Sequence, residues 1–299
     1  MTALMRSLLF LPGNREKFLE KAAGLDADGF IIDFEDSVPA AEKANARKCL
    51  AAFAPALQGK SIWVRPNASD SPYFAEDLAA ICGTPGLAGV FLPKAEHVPA
   101  VREVDNAITV QERAAGLAPG TLRVILTIET ARGVMRSLDL AEVTARTESI
   151  AFGGAQDGDL MTDLGCVFAT DTGTLQHARE HVLIAARAAG CRSPLDSVFA
   201  NVKDAAGFEA DTKLSRALGY RGRCLIHPSQ IEPANRLYSP SAAEVAESRR
   251  LVESFDAAVA KGHASVLFEG RMIDVAMAKA ARNVIAWAEQ HGAQQQGLN

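Results

Sequence analysis

The sequence lacks paired cysteines. Its five, Cys49, Cys82, Cys166, Cys191 and Cys224, form no C-x-x-C pair and no zinc-ligand spacing. That excludes a disulfide framework or a zinc module and implies reduced thiols in a cytoplasmic protein. Small buried hydrophobes are the simplest role for each. A long basic run is also missing: 31 Lys and Arg stand against 36 Asp and Glu, a net charge of −5. Binding a phosphate backbone needs clustered cations, so no nucleic-acid partner is expected. Any anionic ligand must be held by a local basic pocket. No charge-free apolar run is long enough to span a bilayer, so no membrane partner is expected either. The opening M-T-A-L-M-R-S-L-L-F-L-P-G-N-R is interrupted by Arg6 and closed by Pro12-Gly13. A strand is expected there rather than a signal peptide. No G-x-G-x-x-G follows that strand, which argues against an open dinucleotide-binding sheet.

What is present is one repeated grammar: a short apolar run, a polar or Gly/Pro break, then a helical pattern. With 48% hydrophobic and 22% charged residues over 299 positions, the chain has ample material for a packed core. Candidate strands lie at 7–11, 29–33, 62–65, 89–92, 123–128, 149–153, 195–200 and 223–226. Helix-like segments such as 16–23, 40–53, 74–82, 133–144, 174–189 and 205–218 fall between them. Strands alternating with helices predict a parallel sheet with right-handed crossovers. Eight units in this length predict a (β/α)8 TIM barrel over 1–237. The runs F-I-I-D, G-V-F-L-P and V-I-L-T-I-E are nearly continuous in apolar residues, as strands covered on both faces should be. A break at Tyr238-Ser-Pro-Ser241 begins a mostly helical C-terminal extension, 238–299, expected to act as a lid. It holds a helical pattern over 243–261, a turn around Glu269-Gly270, a last helix near 275–290 and a polar tail expected to fray.

In such a barrel, chemistry projects from the C-terminal ends of the strands. Those ends read Pro12-Gly13-Asn14-Arg15, Asp33-Phe34-Glu35-Asp36, Arg65-Pro66-Asn67, Pro93-Lys94-Ala95-Glu96, Glu129-Thr130, the Asp157 and Asp159 loop, and His227-Pro228. Asp33, Glu35, Asp36, Glu129, Asp157 and Asp159 would converge on one mouth. Carboxylates crowded together raise one another's pKa unless a cation neutralises them. An all-oxygen set suits Mg²⁺, with Mn²⁺ as a substitute. Arg65 and Lys94 would face a substrate carboxylate or carbonyl oxygen. Each element also has a plainer reading. Asp33–Asp36 would cap the following helix, Asp157 and Asp159 would be turn residues around Gly158, Arg65 would pair with an acid, and His227 would hold its loop.

The stretches R-S-L-L-F-L-P-G-N-R (6–15), I-I-D-F-E-D-S-V-P (31–39), V-R-P-N (64–67), L-P-K-A-E (92–96), I-E-T-A-R-G (128–133), D-L-M-T-D-L-G (159–165) and I-H-P-S-Q-I (226–231) resemble the citrate lyase β-subunit-like (HpcH/HpaI aldolase) family. F-E-G-R-M-I-D (268–274) is similar to the C-terminal segment of malyl-CoA and citramalyl-CoA lyases, a segment the short citrate lyase β subunits tend to lack. The resemblance implies an Mg²⁺-dependent C–C lyase joining or splitting an acyl-CoA and a 2-oxo acid. Glu129 would be one metal ligand. The second is Asp159 when counted back from Asp163-Leu164-Gly165, or Asp157 when counted forward from Phe152-Gly153. Arg65 would stabilise the substrate carbonyl, and Asn14 and Arg15 would contact the CoA arm. Asp36, beside Glu35, would reach the metal through water. Asp274 would be the acid delivered into a neighbouring subunit's site, in a homo-oligomer such as a trimer or hexamer. Citryl-CoA cleavage, malyl-CoA hydrolysis, a CoA-independent aldolase and a degenerate binding subunit are the alternatives.

Overall fold

The computed structural model describes residues 5–57, 59–167 and 173–296. They divide into two compact units, 1–236 and 237–299. The first is a closed barrel of eight parallel strands in sequential order. The strands are β1 (Ser7–Pro12), β2 (Gly29–Asp33), β3 (Ser61–Arg65), β4 (Gly89–Leu92), β5 (Arg123–Ile128), β6 (Thr147–Phe152), β7 (Leu195–Asp196) and β8 (Gly222–Leu225). Closure comes from β8 pairing with β1, Cys224 opposite Leu8. The helices between strands are α1 (Glu16–Ala22), α2 (Lys43–Phe53), α3 (Phe74–Cys82), α4 (Val98–Ala114), α5 (Ala131–Ala141), α6 (Asp159–Leu164), α7 (Gln176–Ala188) and α8 (Ala205–Leu218). The fold is the TIM barrel that the alternation implies. No helix of the described residues is long and apolar enough to cross a membrane.

The strands form because nearly every residue in them is buried on one of two faces. Inside the barrel Leu8, Ile31, Trp63, Phe91, Ile125, Ala151, Leu195 and Cys224 pack into one cluster, one from each strand. Such a layered interior is a packed core and leaves chemistry only the rim. Strand β7 is four residues shorter at its C-terminal end than its apolar run predicts. The Ser197 N–H donates to the Asp196 carboxylate, and the Ser197 carbonyl accepts two hydrogen bonds from Arg223. Both ladder groups of Ser197 are therefore engaged by side chains. Arg223 is fully buried, sits over the Phe208 ring and pairs with Asp211, while Arg179 binds both Asp196 and Asp211. Helix α5 starts two residues earlier than its predicted span because Thr130 caps it, its hydroxyl accepting from the Gly133 N–H at 3.0 Å.

The second unit begins in the last turn of α9 (Ile231–Tyr238) and contains α10 (Ala242–Val259), strands β9 (Val266–Phe268) and β10 (Arg271–Ile273), and α11 (Val275–Gln296). Ser241 and Glu244 form a reciprocal capping box at the start of α10. The hairpin turns on Glu269-Gly270, both with positive φ (48° and 81°), the backbone that twists with its strands. Phe255, Ile273 and Ala278 close a small core. Helix α11 runs on to Gln296, so the polar stretch expected to fray is helical up to that residue, and only 297–299 lie outside the described residues.

Candidate active site

The end of β2 is built around Arg65. Asp33 is buried and accepts from Arg65 Nε at 2.7 Å and Nη2 at 2.8 Å. It also accepts from the Glu35 N–H, the Ser37 N–H and the Ser37 hydroxyl. Asp33 is thus both a turn cap and the anchor of Arg65. Burial alone would raise the Asp33 pKa, but the Arg65 guanidinium more than offsets it and holds the carboxyl below its ordinary value. Arg65 Nη1 lies 3.1 Å from Asp36 and 3.4 Å from Glu35, and the guanidinium stacks 5.0 Å above the Phe10 ring. Among the described residues one buried oxygen of Glu35 has no hydrogen-bond partner. Burial, with the charges of Asp36 and Glu129 nearby, pushes its pKa up to about 7. Lys43, from α2, donates to the carbonyls of Phe34 and Glu35 and fixes the turn from below. Gly13 completes this side: a Cβ there would meet the Asp33 carbonyl at 2.8 Å and the Phe34 ring at 2.9 Å.

The opposite side is built by β4, β5 and β6. Glu129 follows β5, and its Oε1 accepts from the backbone N–H of Lys94 at 2.8 Å. Lys94 presents that N–H from a left-handed conformation, φ 52°, a strain of about 1–3 kcal/mol that persists where surroundings enforce it. The Lys94 ammonium reaches Asp159 at 3.2 Å. Burial pushes the Glu129 carboxyl upward and the Asp159 charge adds to that, against the Lys94 amide and the Arg65 charge. Gly153 makes room for Glu129, because a Cβ there would lie 2.4 Å from Glu129 Cβ.

These groups surround a cavity of about 210 Å³ at the barrel mouth. Asp36, Arg65, Glu129 and Asp159 line it together with Phe10, Phe91, Phe152, Thr127, Ser197 and Val198. The six acids expected to converge do not all arrive. Asp33 and Glu35 stand behind Arg65 rather than on the cavity wall. Asp157 is exposed in a turn with φ 58°, its N–H 3.4 Å from the Met161 sulfur. The turn closes through the Gly158 N–H on the Ala155 carbonyl and brings Asp159 to the first position of α6. Among the described residues no group of three or more His, Cys, Asp or Glu side chains is assembled for a metal. The crowding is relieved by Arg65 and Lys94. Among the described residues the buried amide oxygen of Asn14 has no partner, and Arg15 beside it is exposed. Asp274 lies in the second unit, where its carboxylate caps α11 through the N–H groups of Ala276 and Met277. His227 Nδ1 accepts from the Ser229 N–H and holds its own loop.

The profile of the HpcH/HpaI aldolase/citrate lyase family matches residues 6–228. This chain belongs to that family. The citrate lyase β subunit of Escherichia coli K12 is 33% identical over 97% of this chain and 95% of its own length. An L-malyl-CoA/β-methylmalyl-CoA lyase of Cereibacter sphaeroides is 32% identical over 95% and 94%. A crystal structure of the CitE protein of Mycobacterium tuberculosis with magnesium, acetoacetate and coenzyme A superposes with a TM-score of 0.76 at 31% identity, covering 95% of this chain and 97% of that one. The match to the E. coli β subunit spans nearly the whole chain.

Sequence reasoning missed Thr127, Ser197 and the aromatic wall. Thr127 was legible: it stands on β5 two residues before Glu129, which follows the strand directly, so the alternation gives both the inward face. Among the described residues its buried hydroxyl has no partner. The aromatic residues Phe10 and Phe91, packed edge to face at 5.6 Å, carry no chemical signature in the sequence.

Proposed function

We propose that this chain is a carbon–carbon lyase that splits a 3-hydroxyacyl-CoA, such as malyl-CoA or citramalyl-CoA, into an acyl-CoA and a 2-oxo acid, or joins them. The supporting observation is the mouth cavity, where a permanently charged Arg65 stands with two carboxylates, Glu129 and Asp159, that among the described residues have no arginine in salt-bridge contact, Asp159 being paired with Lys94. Relatives named for citrate lyase and malyl-CoA lyase activity support the same reaction class. The donor set fits Mg²⁺. Both acids are oxygen donors, burial pushes the Glu129 carboxyl upward, and Mg²⁺ commonly takes one or two carboxylates and fills its other positions with substrate and water. Glu129 and Asp159 would hold it, and when bound it would supply a Lewis acid for the substrate's hydroxyl and carboxylate oxygens.

The chain's own groups supply the rest. Asp36, on the cavity wall beside Arg65, accepts the proton of the substrate hydroxyl. The C–C electron pair passes to the thioester as an enolate, whose oxygen Arg65 stabilises. Asp274, from a neighbouring copy of the chain in a homo-oligomer, returns a proton to the enolate carbon, and the second unit acts as a lid that excludes water. Asn14 and Arg15 contact the CoA arm.

The test is a screen of malyl-CoA, citramalyl-CoA and citryl-CoA with Mg²⁺, following the released 2-oxo acid and acyl-CoA together. Glu129→Ala is expected to abolish the Mg²⁺-dependent reaction. Full activity in that variant discards the metal assignment. Free CoA released without an acyl-CoA product identifies hydrolysis instead.

A further inference from the structure

Helix α5, on the outside of the barrel, carries its charges the wrong way round. Arg132 stands in its first turn and Arg136 in the next, with Asp139 in its last turn and Glu142 at its C-cap. All four are exposed. The helix has no acid in its first turn and no base in its last. Cations at the N-terminus and anions at the C-terminus both oppose the helix dipole. The spacing adds to the cost. The arginines are four residues apart and the acids three, so like charges neighbour each other on the helix surface. The acid that serves this N-terminus comes from α6, where Asp163 accepts from the Ala131 N–H at 2.7 Å. Among the described residues none of the four charges stands in an ion pair.

Between the basic and the acidic half lie two apolar side chains, Met135, 71% exposed, and Leu138. At 3.6 residues per turn all six positions fall within about half of the helix circumference. A barrel helix turns that face to solvent, where polar side chains normally stand. The helices packed against α5 each expose a further large apolar side chain, Val110 on α4 and Ile184 on α7. The outer face of α5 is thus apolar at its centre, basic at one end and acidic at the other.

We propose that this face of α5 binds the same face of a second copy of the chain, antiparallel about a two-fold axis near Ser137. A contact of that symmetry must be complementary to itself. One axis there sets Arg132 against the partner's Glu142, Arg136 against the partner's Asp139 and Met135 against the partner's Leu138. Each copy then brings acids to the N-terminal half of the other helix and bases to its C-terminal half, which offsets the dipole mismatch. An 11-residue helix is about 16 Å long. That is too short to bury the roughly 800 Å² per partner of a stable interface, so α4 with Val110 and α7 with Ile184 widen the contact. The surface belongs wholly to the first unit and is separate from the delivery of Asp274. Alone it joins two copies, and combined with a three-fold ring it joins six.

The test is sedimentation velocity of the full chain over a range of protein concentrations. The mass is expected to be an even multiple of that of one chain. The double variant Arg132→Glu with Arg136→Glu makes the face wholly acidic. The double variant Asp139→Arg with Glu142→Arg makes it wholly basic. Both sets of changes suit the helix dipole better than the parent residues do, so both chains are expected to fold, which circular dichroism checks. Each variant alone is expected to show half the parent mass, its two-fold dissociation constant raised about 100-fold or more, because like charges then meet across the axis. Mixed in equal amounts, the two variants are expected to pair and restore the even multiple. Met135→Lys, at an exposed position, is expected to halve the mass as well. An odd multiple for the unmodified chain, one or three, overturns the proposal. Folded variants that keep the parent mass, Met135→Lys included, overturn the placement of the contact on α5. Halving in both double variants with no recovery on mixing overturns the antiparallel pairing.

Discussion

Glu35 makes stability depend on pH in a direction opposite to that of most carboxylates. Its carboxyl holds a proton up to about pH 7 in the folded chain, against an ordinary 4.5. Below pH 4.5 folded and unfolded states both carry the proton, and the contribution to stability is complete. Between 4.5 and 7 the unfolded chain ionises while the folded chain does not, so stability falls as pH rises. Above 7 the contribution is gone. At about 1.4 kcal/mol per pH decade, the swing is about 3 kcal/mol. Glu35→Gln removes it, because the amide stays neutral throughout. The difference in unfolding free energy between variant and parent, from urea titrations in a chelator between pH 5 and 8.5, should rise in favour of the variant by up to about 3 kcal/mol. Taking the difference cancels the titrating groups that do not interact with Glu35, which leaves Asp36, Arg65, Lys94 and Glu129 as its coupled neighbours. A difference that stays flat across this range, or that turns against the variant as pH rises, refutes the reasoning: Glu35 would then be ionised and held by Arg65.

Three further outcomes are expected. Asp159→Asn should raise the Mg²⁺ concentration needed for activity by tenfold or more, with Asp157→Asn close to the parent, since only Asp159 lines the cavity; equal effects in a metal titration would sink the distinction. Asp196→Ala strips a buried acceptor from Arg179 and should cost about 3–5 kcal/mol in chemical denaturation. Asp274→Ala should stop exchange of the acetyl-CoA methyl protons with deuterated water while Mg²⁺ binding persists, and unchanged exchange removes its acid role.

The barrel was legible because each strand buries both faces, and continuous apolar runs such as Gly89–Leu92 announce that. The truncation of β7 was not, because it depends on Arg223, a residue of β8, reaching the Ser197 carbonyl. The strand-end rule located Arg65, Glu129 and Lys94 but over-counted the acids. Spacing shows which residues follow a strand. It does not show that Asp33 turns inward to Arg65, or that the turn before α6 absorbs Asp157 and leaves Asp159 at the helix start. Those choices depend on hydrogen-bond partners distant in sequence.

The clamp on Glu129 is written in the main chain. The group that aims its carboxylate is the amide of residue 94, and every amino acid except proline carries that amide. The side chain at 94 can therefore lose or reverse its charge while Glu129 stays aimed, and glycine there would also release the backbone strain. Position 94 becomes a place where the electrostatics of the mouth can be retuned separately from the geometry of the acid beside it.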